Sequence, residues 1–257
     1  MGRVEGQTAL ITGGTRGIGR AIAHALLREG ANVAVSGRSA AKAEELLERW
    51  GTTGRLLVIE GDVTTKVGME SMIDRTEDRF GPLDICVLNA GGVNNSAPIV
   101  DMTDEEWQYE LDLNLNHTFW GTRRALRTML PRKSGRIICI SSIEGKHGKP
   151  RIAGYTANKH AINGFVKAVS REVGPEGVTV VSLCPGIVVT DMLMNSAGKN
   201  LGLGGVDEVV KAYTQNTAIK RAVALDEVAE FALHLCGPFG AAFAGGTVSV
   251  DGGDAFY

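Results

Sequence analysis

The chain has 257 residues, of which 44% are hydrophobic and 22% charged, so it can bury a sizeable core. This composition excludes a disordered chain, a collagen and a coiled coil. Lys and Arg total 27 against 29 Asp and Glu, a formal net charge of -2. The charge balance gives no reason to expect a nucleic-acid partner or an anionic membrane surface.

Nothing in the sequence predicts a membrane span, an export signal or a metal centre. The best apolar run, 178–189, is interrupted by Pro185 and Gly186. The N-terminus lacks the apolar core of a signal peptide, so we expect a cytoplasmic protein. The cysteines are too widely spaced for zinc or a disulfide framework, which predicts buried, inert thiols at Cys86, Cys139, Cys184 and Cys236.

Apolar runs of strand length alternate with helical patterns along the whole chain. Strands are predicted at 8–12, 32–36, 56–60, 84–89, 136–141, 178–184 and 247–250. Helices are predicted between them, at about 18–29, 40–50, 66–80, 103–130, 153–173 and 226–236. Apolar strands joined by helices indicate an α/β fold, a mostly parallel seven-stranded sheet covered on both faces, in one domain over 1–257.

One segment breaks this alternation. The stretch 191–206 is long, glycine-rich and weakly patterned, and it follows the carboxyl end of a strand. Open α/β sheets bind ligands at that edge, so we expect a substrate lid at about 191–216. A surface insertion without a function is the alternative.

A glycine-rich turn separates the first strand from the first helix. It reads Thr12-Gly13-Gly14-Thr15-Arg16-Gly17-Ile18-Gly19. Glycines at the first, fifth and seventh places after Thr12 allow a tight turn and let phosphate oxygens approach the N–H groups at a helix start. The turn therefore predicts a dinucleotide site.

The end of the second predicted strand indicates which dinucleotide. An NAD site needs an acidic residue there to bind the ribose 2′-hydroxyl, and this chain has Ser36-Gly37-Arg38-Ser39 instead. Arg38, with Arg16 from the glycine turn, can meet a 2′-phosphate through charge-assisted hydrogen bonds. The sequence favours NADP(H) over NAD(H); the alternative is that both arginines are ordinary solvated charges.

Tyr155 and Lys159 are four residues apart on a predicted helix and so share one face. A nearby ammonium stabilises a phenolate, and lowering the Tyr pKa by roughly 3 units requires about 4 kcal/mol. We expect Lys159 and an oxidised nicotinamide to supply it, which makes Tyr155 a general acid or base. Ser142, at the end of the fifth predicted strand, could hold the substrate oxygen beside this phenol; capping its own turn is the alternative.

Asn114 lies on the apolar face of the predicted helix 103–130, where a buried amide must be hydrogen-bonded. It either joins that helix to a neighbour or holds a water that relays protons from Lys159. Among the histidines, His147 is the candidate for a substrate contact. His117 is expected to be an ordinary packed helix residue.

Five motifs together resemble the short-chain dehydrogenase/reductase family, in its single-domain branch. They are the glycine turn, Asn89-Ala90-Gly91, Ile140-Ser141-Ser142, Tyr155-Thr156-Ala157-Asn158-Lys159 and Pro185-Gly186. The resemblance covers nearly the whole chain and implies a Rossmann fold, an NADP(H)-dependent oxidoreductase and a homotetramer or homodimer.

The resemblance also implies a catalytic tetrad of Asn114, Ser142, Tyr155 and Lys159. In it Tyr155 is the acid/base, Lys159 binds the nicotinamide ribose, Ser142 polarises the carbonyl and Asn114 positions the relay water. The residues expected to contact the cofactor are Gly13, Thr15, Arg16, Gly17, Ile18, Gly19, Arg38, Ser39, Asp62, Val63, Asn89, Ala90, Gly91, Tyr155, Lys159, Pro185, Gly186, Val188 and Thr190.

The expected reaction moves a hydride between the nicotinamide and a ketone or secondary alcohol, with a 3-oxoacyl or polyketide-type ketone favoured. The pocket should be formed by 92–99, 143–151 and the lid. The alternatives are an NAD-linked alcohol or hydroxy-acid dehydrogenase, and a non-catalytic dinucleotide sensor or scaffold. The sensor reading conflicts with the presence of Ser142, Tyr155 and Lys159.

Overall fold

One parallel sheet of seven strands organises the protein. The computed structural model describes residues 2–39, 46, 48, 50, 53–194 and 205–255. The sheet order is β3-β2-β1-β4-β5-β6-β7. The strands are β1 Thr8–Ile11, β2 Asn32–Gly37, β3 Leu56–Glu60, β4 Ile85–Leu88, β5 Gly135–Ile140, β6 Val178–Pro185 and β7 Thr247–Val250.

Helices cover both faces of this sheet, as predicted. Leu10 packs on the face covered by α2, α4 and α5, and Ile11 on the face covered by α1 and α7, because successive strand side chains point in opposite directions. The helices are α1 Gly17–Arg28, α2 Lys66–Phe80, α3 Asp104–Leu111, α4 His117–Arg132, α5 Ala153–Val173, α6 Val206–Tyr213 and α7 Leu225–Cys236.

The strand order reverses at β1, which pairs with β2 on one side and with β4 on the other. Loops leave the carboxyl ends of β1 and β4 in opposite directions, and this opens the crevice in which doubly wound folds bind ligands. The glycine turn after β1 and the Asn89–Gly91 segment after β4 meet at this crevice.

The predicted strands and helices that the structure describes agree with the observed ones to within a residue or two at most ends, but α6 was not predicted. The four cysteines are free and buried, as predicted. The helix predicted at 40–50 and residues 195–204 of the predicted lid fall wholly or largely outside the described residues. No helix in the described part of the chain is long and apolar enough to cross a bilayer.

The helix predicted at about 103–130 is present, but it contains a π-helical turn that was not predicted. Helix α3 ends at Leu111, a single π-helical turn spans Asp112–Asn116, and α4 then begins at His117. In the π turn the backbone N–H of His117 bonds to the carbonyl of Asp112, five residues back. One extra residue per turn leaves the apolar pattern almost unchanged, so the sequence did not reveal it.

Candidate active site

The glycine turn is compact because its backbone leaves no room for side chains. Gly13 and Gly17 have φ angles of 62° and 52°, which are costly for residues with a Cβ. At Gly19 a Cβ would lie 2.5 Å from both the Gly13 carbonyl oxygen and the amide nitrogen of Asn89. The turn therefore packs directly against the segment that follows β4.

The N-terminus of α1 is open at this turn. Within the described chain, no side chain caps it and no acidic residue occupies its first turn. The first backbone N–H groups of a helix have no intrahelical acceptor and favour anions. This arrangement fits the diphosphate group of a dinucleotide. The side chain of Thr190 lies beside it, 3.5 Å from where a Cβ of Gly17 would be.

Hydrogen bonds fix the Asn89–Gly91 segment to the strand end of β1. The Asn89 side-chain amide donates to the carbonyls of Thr12 and Gly13 at 2.8 and 3.2 Å. The Thr12 hydroxyl accepts from the backbone N–H groups of Asn89 and Ala90 at 2.9 and 3.0 Å. Thr12 is fully buried, so this connection is shielded from water.

Arg38 and Arg16, proposed from the sequence as the 2′-phosphate ligands, both expose their side chains to solvent. The Arg38 guanidinium donates to the Tyr109 hydroxyl at 3.2 Å, which brings α3 to the end of β2. Ser39 is also exposed. Thr15 is buried, and a Cβ on Gly37 would lie 2.6 Å from its hydroxyl. The adenosine end of the predicted site is thus an open, positively charged surface.

The remaining residues predicted to contact the cofactor follow β3, lie at or after the end of β6, or belong to the first turn of α1. Val63 is nearly buried after β3, and the Asp62 carboxylate accepts from the backbone N–H and hydroxyl of Thr64. After β6, the Gly186 N–H donates to the Val250 carbonyl at 3.0 Å, and Val188 bridges to Val223. Ile18 packs on the core beneath α1.

Ser142 and Tyr155 meet at the carboxyl end of β5. Ser142 is nine-tenths buried and begins a short 3-10 turn, where its hydroxyl accepts from the Glu144 N–H at 3.1 Å. Its side chain is close enough to the Tyr155 hydroxyl to lower the pKa of that phenol. The structure therefore brings the two predicted oxygens together.

Lys159 is buried beside them. Its Nζ donates to the Ile140 carbonyl at 2.8 Å and lies 5.3 Å from the centre of the Tyr155 ring. The Ser141 hydroxyl donates to the Lys159 carbonyl at 3.0 Å, so two hydrogen bonds hold α5 against the end of β5. The ammonium and the phenol share one helix face, as the spacing predicted.

The sequence predicts that Lys159 and an oxidised nicotinamide together lower the pKa of Tyr155; in the protein alone this pKa is raised. Burial raises the pKa of Tyr155 to about 12, and the hydrogen bond from Ser142 offsets only part of that increase. Burial also lowers the pKa of Lys159 to about 8. Desolvation disfavours the charged form of either group, and the sequence showed the spacing of the pair but not its burial.

Asn114 lies in the π turn with its side chain fully buried. Its amide nitrogen donates to the carbonyls of Gly92 and Glu110, and its oxygen accepts from the Gly92 N–H at 3.0 Å. Asn114 thus joins its helix to the segment after β4. A Cβ on Gly91 would lie 2.7 Å from the Asn114 oxygen and 3.2 Å from the Lys159 ammonium, so both groups border one point of the crevice.

The loop after Ser142, which is expected to form part of the substrate pocket, carries several charged side chains. Two of them are buried. Glu144 and Lys146 are each about 6% exposed. The His147 ring nitrogen Nδ1 lies 3.5 Å from a Glu144 carboxylate oxygen. The Lys149 ammonium lies 3.8 Å above the ring of Tyr213, at the end of α6, so the predicted lid region contacts the loop after Ser142.

Sequence reasoning missed His117. Its imidazole is completely buried and joins Thr12 to Leu113, at 3.3 and 3.0 Å. The available signal was a polar side chain on the apolar face three residues after Asn114, which was assigned to packing.

Comparisons with known proteins agree with this geometry. Residues 7–200 match the family model described as short chain dehydrogenase. The chain is 38% identical over 189 residues to a 3-oxoacyl-[acyl-carrier-protein] reductase of Haemophilus influenzae, covering 74% of this chain and 77% of that one. It is 36% identical over 253 residues to D-beta-hydroxybutyrate dehydrogenase of Rhizobium meliloti, covering 96% and 98%.

Solved structures show the same relationship. The structure of an actinorhodin polyketide ketoreductase with NADPH has a TM-score of 0.91 at 34% identity and covers 98% of both chains. A short chain dehydrogenase from Burkholderia cenocepacia in complex with NADP has a TM-score of 0.86 at 30% identity, covering 98% of this chain and 99% of that one. The chain therefore belongs to the short-chain dehydrogenase/reductase family and is an oxidoreductase acting on CH–OH or C=O groups.

Proposed function

We propose that the protein is an NADP(H)-dependent ketoreductase in which Tyr155 is the general acid/base. The observation that carries the proposal is the meeting of Ser142, Tyr155 and Lys159 at the end of β5, beside the open N-terminus of α1. A hydride donor and a proton donor are both needed to reduce a ketone, and this crevice can hold a reduced nicotinamide, the hydride donor, next to Tyr155, the proton donor.

Each side chain of the site has a distinct task in this proposal. The hydroxyls of Ser142 and Tyr155 hold the substrate oxygen, and Tyr155 gives it a proton during reduction. The Lys159 ammonium, held by the Ile140 carbonyl, stabilises the phenolate that is left. Asn114 fixes the segment after β4. Its side-chain oxygen and the Lys159 ammonium both lie close to Gly91. The bound nicotinamide supplies the hydride.

The preference for NADP(H) over NAD(H) is supported by the end of β2. Arg38 and Arg16 are exposed there, and the strand ends without the carboxylate that would repel a 2′-phosphate. The two similar structures described above contain NADPH and NADP. The residues present thus fit a dinucleotide with a 2′-phosphate.

The substrate class favoured is a 3-oxoacyl thioester or a polyketide-type ketone. Similarity to a 3-oxoacyl reductase and to a polyketide ketoreductase supports this class. Contact between Lys149 and Tyr213 supports a pocket closed by the predicted lid at 191–216, since it joins α6 to the loop after Ser142. A tetrameric assembly stays a prediction from the family resemblance.

An NAD-linked hydroxy-acid dehydrogenase is the second candidate. The hydroxybutyrate dehydrogenase matches the chain over 253 residues, compared with 189 for the 3-oxoacyl reductase. The basic residues Lys149 and Arg151, on the loop after Ser142, could also attract a substrate carboxylate.

A four-way assay separates the two candidates. NADPH consumption would be followed with a 3-oxoacyl thioester, and NAD reduction with a 3-hydroxy acid, each also with the other cofactor. Faster turnover of the thioester with NADPH supports the proposal, whereas faster oxidation of the hydroxy acid with NAD supports the alternative. Binding of NADPH without turnover of either substrate would contradict the proposed substrate class.

A further inference from the structure

His117 has a buried imidazole that lies between the glycine turn and the π turn. Neither the ring nor its partner Thr12 reaches solvent, since both residues are 0% exposed. The sequence places it only three residues after Asn114, on the first turn of α4. A buried ring with both nitrogens hydrogen-bonded has a fixed orientation and can transmit a position from one partner to the other.

The π turn explains why the His117 ring bonds to the Leu113 carbonyl. In a regular α-helix the His117 N–H would bond to the carbonyl of Leu113, four residues back. Here that N–H goes to the carbonyl of Asp112 instead. The ring nitrogen Nδ1 of His117 donates to the Leu113 carbonyl at 3.0 Å in its place. The His117 side chain therefore replaces the missing backbone donor to Leu113, in the π turn that contains Asn114.

The tautomer of His117 determines how its ring interacts with the Thr12 hydroxyl. A carbonyl can only accept, so the proton of the neutral ring is on Nδ1 and Nε2 is an acceptor. The Thr12 hydroxyl then donates to Nε2, at 3.3 Å, the nearer of its two acceptors; the other is the Val87 carbonyl at 3.5 Å. Its oxygen remains free to accept the N–H groups of Asn89 and Ala90, as observed. Burial lowers the pKa of His117 to about 4, which keeps the ring neutral at physiological pH.

We propose that His117 is a positioning residue that couples the cofactor-binding segment Asn89–Gly91, through Thr12, to the π turn that carries Asn114. The inference rests on the proposed function, because it treats Asn89–Gly91 as part of the dinucleotide site. Without the acceptor at Nε2, the Thr12 hydroxyl turns toward the Val87 carbonyl, and the geometry of its two bonds to the segment changes. Without the donor at Nδ1, the π turn loses the hydrogen bond to the Leu113 carbonyl, one residue before Asn114.

Two amide substitutions separate these roles. The amide nitrogen of Asn occupies the place of Nδ1, so His117→Asn keeps the bond to Leu113 and loses the one to Thr12. The longer Gln side chain reaches the place of Nε2, so His117→Gln keeps an acceptor for Thr12 and loses the bond to Leu113. The geometry thus assigns one hydrogen bond to each variant.

Binding of NADPH, measured by its fluorescence, and turnover give the two readouts. For His117→Asn we expect the dissociation constant to rise about three- to tenfold, the effect of one hydrogen bond. For His117→Gln we expect that constant to stay within about twofold of the wild type, while kcat falls about three- to tenfold. Equal effects of the two variants on binding and on kcat would show a merely structural role and overturn the proposal.

His160 provides a matched control. Its Nδ1 bonds to the carbonyl of Thr156, four residues back, at 3.0 Å, the same contact that His117 makes with Leu113, but its ring is exposed. His160→Asn and His160→Gln should leave both readouts unchanged.

A measurement on the unaltered protein keeps the inference testable if a variant does not fold. Nitrogen NMR of histidine-labelled protein should show one imidazole with its proton on Nδ1 and an unprotonated, hydrogen-bonded Nε2, without any cofactor. A proton on Nε2 would remove the bond to Leu113 and overturn the inference. Failure of NADPH to bind the wild type would instead contradict the proposed function and leave this result standing.

Discussion

The Lys159 ammonium lies 5.3 Å from the centre of the Tyr155 ring, one helical turn away; Lys159 is buried and Tyr155 is half-buried. Burial acts on them in opposite directions, raising the pKa of Tyr155 to about 12 and lowering that of Lys159 to about 8. At neutral pH the protein alone therefore holds a protonated phenol beside a cation. A protonated phenol is the form needed to donate to a carbonyl oxygen, which matches the proposed direction of reduction.

The first prediction concerns Tyr155→Phe. This substitution removes the proton donor and keeps the ring, so the turnover of a ketone should fall by roughly a hundred- to ten-thousandfold, the usual contribution of general acid catalysis. The dissociation constant for NADPH should change by less than about threefold, because the bonds of the glycine turn and of Asn89 are unaffected. Steady-state kinetics and fluorescence titration measure the two quantities. Turnover within a few-fold of the wild type would mean that another group donates the proton.

The second prediction concerns the choice of cofactor. Arg38→Leu removes a guanidinium that can form charge-assisted hydrogen bonds to a 2′-phosphate and that now bonds to Tyr109. We expect the dissociation constant for NADPH to rise roughly ten- to hundredfold and that for NADH to change by less than about twofold.

Arg171→Leu is the control for charge, since it removes an exposed arginine from the last turn of α5. It should leave both constants unchanged. An equal loss of NADPH and NADH affinity in Arg38→Leu would show that this arginine supports the fold of the site and does not read the phosphate.

The sequence was sufficient for the parallel sheet, because its strands are short apolar runs and its turns carry glycine where the backbone needs it. The helix at 153–173 and the strand at 56–60 were predicted with the observed ends. These elements depend on local pattern, which a single sequence displays directly.

The π turn and the buried hydrogen bonds of the site could not be predicted in the same way. Asn114 was assigned either to joining helices or to holding a water, and the structure shows bonds to Gly92 and Glu110. The roles of Thr12 and His117 depend on a contact between residues 105 positions apart. Spacing along the chain contains no information about such a contact or about the burial that shifts the pKa of Tyr155.

The third prediction concerns Gly91→Ala. A Cβ there would meet the Asn114 oxygen at 2.7 Å and the Lys159 ammonium at 3.2 Å, and neither group can move without breaking its own hydrogen bonds. We expect kcat/KM to fall at least about tenfold and the free energy of unfolding to fall by about 1–3 kcal/mol. Gly164→Ala is the control, because a Cβ at that place on α5 meets no atom within 4 Å. It should keep full activity and gain up to about 1 kcal/mol of stability.

The fourth prediction is a pH dependence of stability that arises from His117. Its pKa is about 4 in the folded protein, below the ordinary histidine value of 6.5, so the unfolded chain binds more protons between these two pH values. The contribution is fully present above about pH 6.5 and is lost as the pH falls toward 4. Between pH 7.5 and pH 5 it should cost the wild type roughly 2 kcal/mol, since each pH unit in that window is worth about 1.4 kcal/mol.

His117→Asn does not titrate, so its free energy of unfolding should fall less than that of the wild type, by the same roughly 2 kcal/mol, over this range. Urea unfolding of the two proteins at both pH values measures the difference, in which the contributions of the other titrating groups cancel. His160→Asn, which removes an exposed imidazole, should follow the wild type. Parallel pH dependences of wild type and His117→Asn would mean that the buried ring is free to take up a proton, and Nε2 would then no longer be an acceptor for Thr12.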